Sequence, residues 1–267
     1  MTGYSLALSD VEVARYRAMA QTAAADEADQ WAAAGIVAGA TVVDVGCGPG
    51  AMSVVLAELA GPTGRVFAVD RDPEALVLAR QAAEQAGLAN LVLSEGVADA
   101  TGLIPESADV VMLRHVLAHN GGREQAIVNH LASLVRPGGA VYLADVEATA
   151  IRGYPVENAA VMADINERYR QFHAGLGNDL SVGLRLGELL ERAGLEQVNH
   201  RGQYVIRRPR AGMRPPPWAA REQMLSAGVI TESDIARWQA DFERLDHGET
   251  SLTLFVPSFT AFARKPF

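Results

Sequence analysis

Val42-Val43-Asp44-Val45-Gly46-Cys47-Gly48-Pro49-Gly50 begins as a β-branched run and passes into glycines at every second position. Met52-Ser-Val-Val-Leu-Ala-Glu-Leu-Ala60 then reads as a helix, closed by Gly61-Pro62. Glycine tolerates a left-handed cap and proline cannot continue a helix, so the pair marks a stop. A strand that turns through glycines into a helix lets a ligand approach the backbone closely. The loop is therefore expected to bind something flat or charged.

Outward from this loop, short β-branched runs at residues 41–46, 65–70, 91–95, 108–114 and 140–146 alternate with helical patterns. That alternation predicts a parallel sheet with crossover helices, an α/β doubly wound fold. Asp72-Pro73 is an N-cap and first-turn pair, Leu76, Ala79, Ala83 and Ala86 share one helix face, and Gly87 ends it. A later helix turns Ile127, Leu131, Leu134 and Val135 inward and stops at Arg136-Pro137-Gly138-Gly139. Residues 9–38 read as two helices, with Ser9 and Glu12 forming a capping box and Tyr16, Met19 and Ala20 following at helical spacing.

Beyond Glu147, residues 150–180 read as irregular or helical, Leu184 to Gly194 as an amphipathic helix, and Glu196 to Ile206 as a strand. Residues 207–250 carry Pro215-Pro216-Pro217-Trp218 and a helix start at Thr231-Glu-Ser-Asp234. They are expected to form an insertion packed over the sheet edge. Leu252 to Ala263 makes a last strand, in which Pro257 predicts a bulge or an edge position. The expected organisation is one domain over residues 1–267: a helical cap (1–38), a ligand-binding core (39–147), and lid or insertion segments (148–182 and 207–250).

Composition narrows the function classes. The 267 residues are 49% hydrophobic and 21% charged, ordinary for a globular chain. The single cysteine, Cys47, cannot form an intramolecular disulfide and is expected to be a free thiol. No apolar run approaches 18 residues, and Met-Thr-Gly-Tyr lacks a basic n-region, so a cytoplasmic protein with no membrane partner is expected. A net charge of −9 opposes binding to a phosphate backbone, so the expected partner is a small-molecule substrate and no nucleic acid. Arg207-Arg208-Pro209-Arg210 is short and interrupted, a solvated loop rather than a binding stripe. A homo-oligomer is compatible with the sequence, which does not set subunit number.

Asp70 ends the second run, twenty residues after Gly50, where a carboxylate can accept both hydroxyls of a ribose. Arg71 either lies along an adenine face or is simply exposed. Two ligand classes remain open at this point. A dinucleotide pyrophosphate favours G-x-G-x-x-G, whereas this chain reads G-x-G-x-G with Ala51 at the third glycine's place, a change that dinucleotide sites tolerate.

Five ordered segments carry a resemblance that separates them. They are Val42 to Gly50; Phe67-Ala-Val-Asp70; Gly96-Val-Ala-Asp99-Ala100 ahead of Leu103 and Pro105; Ala108-Asp109-Val-Val-Met-Leu-Arg-His-Val116; and Leu134-Val-Arg-Pro-Gly-Gly139. Together they resemble the motifs of class I S-adenosylmethionine-dependent methyltransferases, of the ubiquinone and menaquinone biosynthesis type and the antibiotic-tailoring type. Phe262-Ala-Arg-Lys-Pro266 resembles the end of their last antiparallel strand. The resemblance implies a seven-stranded, mostly parallel sheet with an antiparallel last strand, N-terminal helices and a helical lid.

It also implies roles. Gly46, Cys47 and Gly48 would pass the methionine part of the cofactor, Asp70 would hold the ribose, and Asp99 with Ala100 would face the adenine amino group. The backbone at Arg114 and His115 would receive the methionine amino group, Tyr16 would close over the carboxylate, and Asp44 would orient the glycine loop from below. Two subtypes fit poorly. Enzymes acting on amide or exocyclic amines place an Asn or Asp, two prolines and an aromatic after the fourth strand, where this chain has Arg114-His115-Val116-Leu117; Pro216-Pro217-Trp218 lies elsewhere. Catechol-type enzymes need an acidic metal ligand there, so no metal is expected.

Methyl transfer from a sulfonium is an in-line displacement that asks the protein for placement and, with weakly acidic substrates, for a base. His115 and His119 stand four residues apart after the fourth strand, and an imidazole is a suitable base near neutral pH. For either one, capping the following loop is the competing role. Tyr169 and His173 lie in the expected lid and are candidates for contact with substrate; Met162, Phe172, Met213 and Trp218 could help enclose an apolar compound. The expected reaction is methyl transfer to carbon or oxygen of a secondary metabolite or quinone-like precursor, yielding S-adenosylhomocysteine. The alternatives are reuse of the fold for a non-methylating reaction such as cyclisation, or as a non-catalytic partner, and a nicotinamide oxidoreductase.

Overall fold

The structure, a computed structural model, describes residues 10–209 and 211–267, the side chains of residues 10 and 11 excepted. Strand β1 (Thr41–Val45) runs parallel to β2 (Arg65–Asp70) on one side and β4 (Ala108–Arg114) on the other. β3 (Leu91–Glu95) extends the β2 side, and β5 (Val135–Asp145) pairs parallel to β4. The last strand, β8 (Thr253–Arg264), pairs antiparallel to β5, to the short β6 (Arg152–Tyr154) and to β7 (Glu196–Arg207). Among the described residues the sheet thus has eight strands in the order β3-β2-β1-β4-β5-β8-β6, with β7 on β8. The expected sheet had seven; the addition is β6, whose three residues carry no alternating pattern.

Alternation along the strands sorts the core onto two faces, since successive side chains point to opposite sides of a sheet. Val42, Val110, Met112, Tyr142 and Ala144 pack with Trp31 and Ala34 of α2 (Ala28–Ala34) and Leu56 and Ala57 of α3 (Ala51–Ala60). Val43, Val45, Val111, Leu113, Val141 and Leu143 pack with Ile127 and Leu131 of α5 (Glu124–Leu134) and Ile165 and Tyr169 of α6 (Ala160–Gly175). Helix α1 (Asp10–Asp26) precedes α2, and α4 (Pro73–Gln85) follows β2. Asp72 caps α4 by accepting from Glu74 N at 2.9 Å, a bond of a kind that stabilises a helix by about 1 kcal/mol. The expected cap at Ser9 lies outside the described residues.

Two expectations about the C-terminal third are corrected. α7 (Leu186–Arg192) and β7 come where the sequence places them, but α8 (Pro216–Ala219), α9 (Arg221–Ser226) and α10 (Glu232–Asp246) pack on α6 rather than over a sheet edge. Trp238 of α10 donates to Asp164 of α6 at 2.8 Å, and Arg237 pairs with the same carboxylate. α10 opens with the reciprocal bonds of a capping box between Thr231 and Asp234. Pro257 sits in an interior strand, opposite Tyr204 of β7. It is tolerated because on β8's other side β6 pairs only up to Phe255 and β5 only from Phe259, so proline falls in the gap.

Among the described residues no helix is long and apolar enough to cross a membrane.

Candidate active site

The strand order reverses between β1 and β4, one leading outward to β2 and the other to β5. In open α/β sheets the crevice beyond the carboxyl ends of strands at such a point is where ligands bind. The pairing of β1 with β4 ends at Val45 and Leu113, whereas β4 stays on β5 to Arg114. Past Leu113 the β1-facing side of β4 is open backbone.

The glycine loop frames this crevice. Gly46, Gly48 and Gly50 all adopt positive φ, at 71°, 53° and 79°. A Cβ on Gly46 would stand 2.5 Å from Val116 Cγ2, and one on Gly50 would stand 2.7 Å from Ala79 Cβ, so both are pressed by neighbours. A Cβ on Gly48 would meet nothing within 4 Å and points into open space. The loop amides are already engaged: Gly46 and Cys47 donate to Val69 O at 2.7 and 3.1 Å, and Gly48 donates to Asp70 Oδ2 at 2.8 Å. The loop therefore presents a smooth surface at Gly48 instead of a nest of free N–H donors, which suits an uncharged sugar and thioether stem better than a pyrophosphate.

Asp70 is buried and its second oxygen accepts from Asp72 N at 2.9 Å. A carboxylate has four lone-pair sites, so two remain for ribose hydroxyls. Below the loop, Asp44 accepts from Ser53 in the first turn of α3 at 2.6 Å, and burial pushes its carboxyl up to about 6. Cys47 is buried, and burial with the nearby Asp44 and Asp70 carboxylates pushes its thiol up. Arg71 is exposed. Asp99 pairs with Arg123, which holds its carboxyl below the usual range, while the adjoining Thr101 N and hydroxyl are held by His130 Nε2 at 3.1 and 2.9 Å. Ala100 bridges back to Val97, closing the same loop.

Arg114 makes a two-point ion pair with Glu27, at 2.5 and 2.9 Å, on the face covered by α2. Glu27 also accepts from Tyr142 OH at 2.7 Å and Trp31 Nε1 at 3.1 Å. The Arg114 side chain is thus committed to holding the helical cap, and only its backbone faces the crevice.

His115 adopts φ of +54°, an uncommon conformation for a residue other than glycine. It leaves the ring exposed yet walled by protein, with Arg114 beside it, so its pKa falls to about 3 by desolvation and then by that charge. His119 closes a 3-10 turn at Leu117–His119 and is also exposed within a protein-walled recess; its pKa falls to about 4, with Arg71 contributing after desolvation. Asp145, at the end of β5, braces this turn by accepting from Ala118 N at 3.2 Å and Val146 N at 2.8 Å. Both residues are exposed beyond the carboxyl end of β4.

Helix α6 supplies the opposite wall. The His173 ring lies 4.8 Å from that of His119 and 4.3 Å, edge-on, from that of Tyr169. Burial raises the Tyr169 hydroxyl, and Tyr16 of α1 is near enough to add to that rise. The structure so gathers His115, His119, Tyr169, His173 and Tyr16. Trp218 does not join them: it packs edge-on to Phe242, beneath Arg221, and Met213 is exposed.

Sequence reasoning missed three contributors. Arg15 lies over the Tyr16 ring at 4.8 Å and close enough to His115 to depress its pKa. Its only sequence signal was its place beside Tyr16. Glu27 and Asp145 act through contacts across long stretches of chain, which no local pattern reveals.

Crevice, glycine loop and acidic strand end define a Rossmann-like, nucleoside-binding enzyme core. A family model described as a methyltransferase domain matches residues 36–194, and the chain belongs to that family, the class I S-adenosylmethionine-dependent methyltransferases. The chain is 33% identical over 138 residues to the Pyrobaculum aerophilum protein named "Probable cobalt-precorrin-6B C(15)-methyltransferase (decarboxylating)", covering 50% of this chain and 68% of that one. It is 34% identical over 113 residues to a ubiquinone biosynthesis O-methyltransferase of Xanthomonas euvesicatoria pv. vesicatoria, covering 42% and 46%. In fold it matches a SAM-dependent methyltransferase from Aquifex aeolicus, at 19% identity and TM-score 0.52, over 72% of this chain and 92% of that one.

Proposed function

We propose that this chain transfers a methyl group from S-adenosylmethionine to carbon or oxygen of a small molecule, a secondary metabolite or quinone-like precursor, in the cytoplasm and without a metal. The observation that carries this is the cluster of His119, His173 and Tyr169, ring against ring, with His115 beside it just past the end of β4 at the switch-point crevice. The open side of Gly48 and the remaining lone pairs of Asp70 fit the ribose and thioether stem of the cofactor. Arg15 and Tyr16 would face its carboxylate, Asp99 and Ala100 its adenine, and the Arg114–His115 backbone its amino group.

The bound cofactor supplies an electrophilic methyl on a sulfonium. The chain's residues hold the acceptor in line with it and exclude water, the positioning that lowers such barriers most. His119, uncharged at neutral pH, takes the proton that the acceptor loses. His115 acts beside it, its strained backbone aiming the ring into the crevice. Tyr169 and His173 wall the acceptor from the lid side.

Mass spectrometry with a trideuteromethyl-labelled donor tests the reading against candidate phenols, enols and quinone precursors. A product heavier by one labelled methyl supports it. Binding of the donor with no labelled product from any acceptor would favour a non-methylating reuse, and binding of NAD without S-adenosylmethionine would restore the oxidoreductase.

A further inference from the structure

His173 holds a polar atom that the reading above leaves unused. Its ring is 2% exposed, and Nε2 is buried with no hydrogen-bond partner. Leaving such a group unpaired costs about 1–3 kcal/mol, so its partner is to be sought in a ligand.

The surroundings decide whether this atom donates or accepts. Gly121 N lies 3.1 Å from the Asn178 amide, and a backbone amide can only donate, so the Asn178 oxygen faces Gly121. Its NH₂ must then face His173 Nδ1, 3.0 Å away. An amide NH₂ only donates, so Nδ1 accepts and carries no proton. In the neutral ring the proton sits on Nε2.

The arrangement is rigid. A Cβ on Gly121 would fall 1.7 Å from Gly177 O, so the two turns touch backbone to backbone, and Asn178 N donates to His173 O at 2.9 Å. Burial also keeps the ring neutral, lowering its pKa to about 4. Around the ring stand His119, Tyr169 and, 5.2 Å from ring to ring, Phe172.

We propose that His173 Nε2–H selects an acceptor-only oxygen on the substrate, a carbonyl or deprotonated hydroxyl on an aromatic body, and holds it beside His119. The proposal rests on the methyl-transfer reading and narrows it. A protonated amine offers only donors and would leave Nε2–H unpaired.

Two measurements on the full chain test this. Long-range ¹⁵N–¹H correlation spectra of the histidine rings at pH 7 should show His173 protonated at Nε2 and bare at Nδ1; the other tautomer overturns the proposal. Acetophenone and 1-phenylethylamine, matched in shape, should differ in binding by about tenfold in favour of the ketone with S-adenosylhomocysteine present, and the bound ketone's C=O stretch should fall. His173→Phe should abolish both the preference and the shift. Equal binding, no retention of the ketone, or an unshifted stretch overturns the proposal. Calorimetry with S-adenosylhomocysteine separates the two levels: if it does not bind, the methyl-transfer reading fails, while the tautomer spectrum still decides the state of His173.

Discussion

Gly48 donates its backbone N–H to Asp70 Oδ2 at 2.8 Å, tying the glycine loop after β1 to the end of β2. The other Asp70 oxygen accepts from Asp72 N, so one carboxylate shapes the loop and the entry to α4 together. A residue that both builds the site and faces the ligand should register in both measurements. Asp70→Ala removes two hydrogen bonds worth about 1 kcal/mol each and is expected to lower Tm by about 4–8 °C. Affinity for S-adenosylhomocysteine should fall more steeply than those two bonds account for, on the order of 10²-fold, about 2.7 kcal/mol. Unchanged affinity in a calorimetric titration would remove Asp70 from the site.

Gly46 and Gly48 should fail in different ways. Both have positive φ, which alone costs an alanine about 1 kcal/mol. At Gly46 the new methyl also meets Val116 at 2.5 Å, so Gly46→Ala should destabilise the fold by more than that. At Gly48 it meets only open space, so Gly48→Ala should leave thermal unfolding within a few degrees of the parent while blocking the cofactor. A Gly48→Ala protein that binds S-adenosylhomocysteine normally would place the ligand elsewhere.

Arg114 and Glu27 hold the helical cap to the sheet from 87 residues apart. Removing one member strands a buried charge, so Arg114→Met or Glu27→Met alone is expected to cost about 3–5 kcal/mol. The double replacement should cost clearly less than the sum of the two. Urea unfolding of the four proteins measures this coupling, and strict additivity would show that the pair is not one unit.

His119 is the proposed proton acceptor, and its pKa near 4 fixes the expected pH profile. The ring stays neutral above about pH 5, so the acidic limb of kcat/KM should fall near pH 4 rather than near the 6.5 of a free imidazole. His119→Ala should lower turnover by roughly 10² to 10⁴ with cofactor binding retained. Full turnover in that variant would transfer the role to another group or to none.

These contacts mark how far the sequence could be read. Strands β1 to β4 fall on their expected residues because β-branched runs and glycine or proline stops are local signals. The glycine loop and Asp70 were legible for the same reason, each set by spacing along a few dozen residues. The Glu27–Arg114 pair and the Gly121–Asn178 bond were not, since they join residues that only the folded chain brings together. Pro257 misled because a proline's tolerance depends on where neighbouring strands stop, which its own strand does not encode.

Acidification should expose two opposed groups of titrating residues. His173 is neutral in the folded chain down to about pH 4, whereas an unfolded histidine takes a proton near 6.5. As pH falls from 6.5 to 4 the unfolded state gains a proton that the folded state does not, and stability declines; His115 and His119 act in the same direction. Asp44 and Asp145 oppose them. Burial raises each to about 6, so in the same window the folded state takes up protons first and gains stability. His130, also lowered by burial, joins the histidines, so the wild type should show a net decline, four groups against two, and single replacements should uncover each side. In His173→Phe the loss between pH 6.5 and 4.5 should be smaller than in the parent by about 2 kcal/mol. In Asp145→Asn it should be larger. Urea unfolding at the two pH values gives both differences, and parallel curves for parent and His173→Phe would mean that the folded ring protonates as readily as the unfolded one.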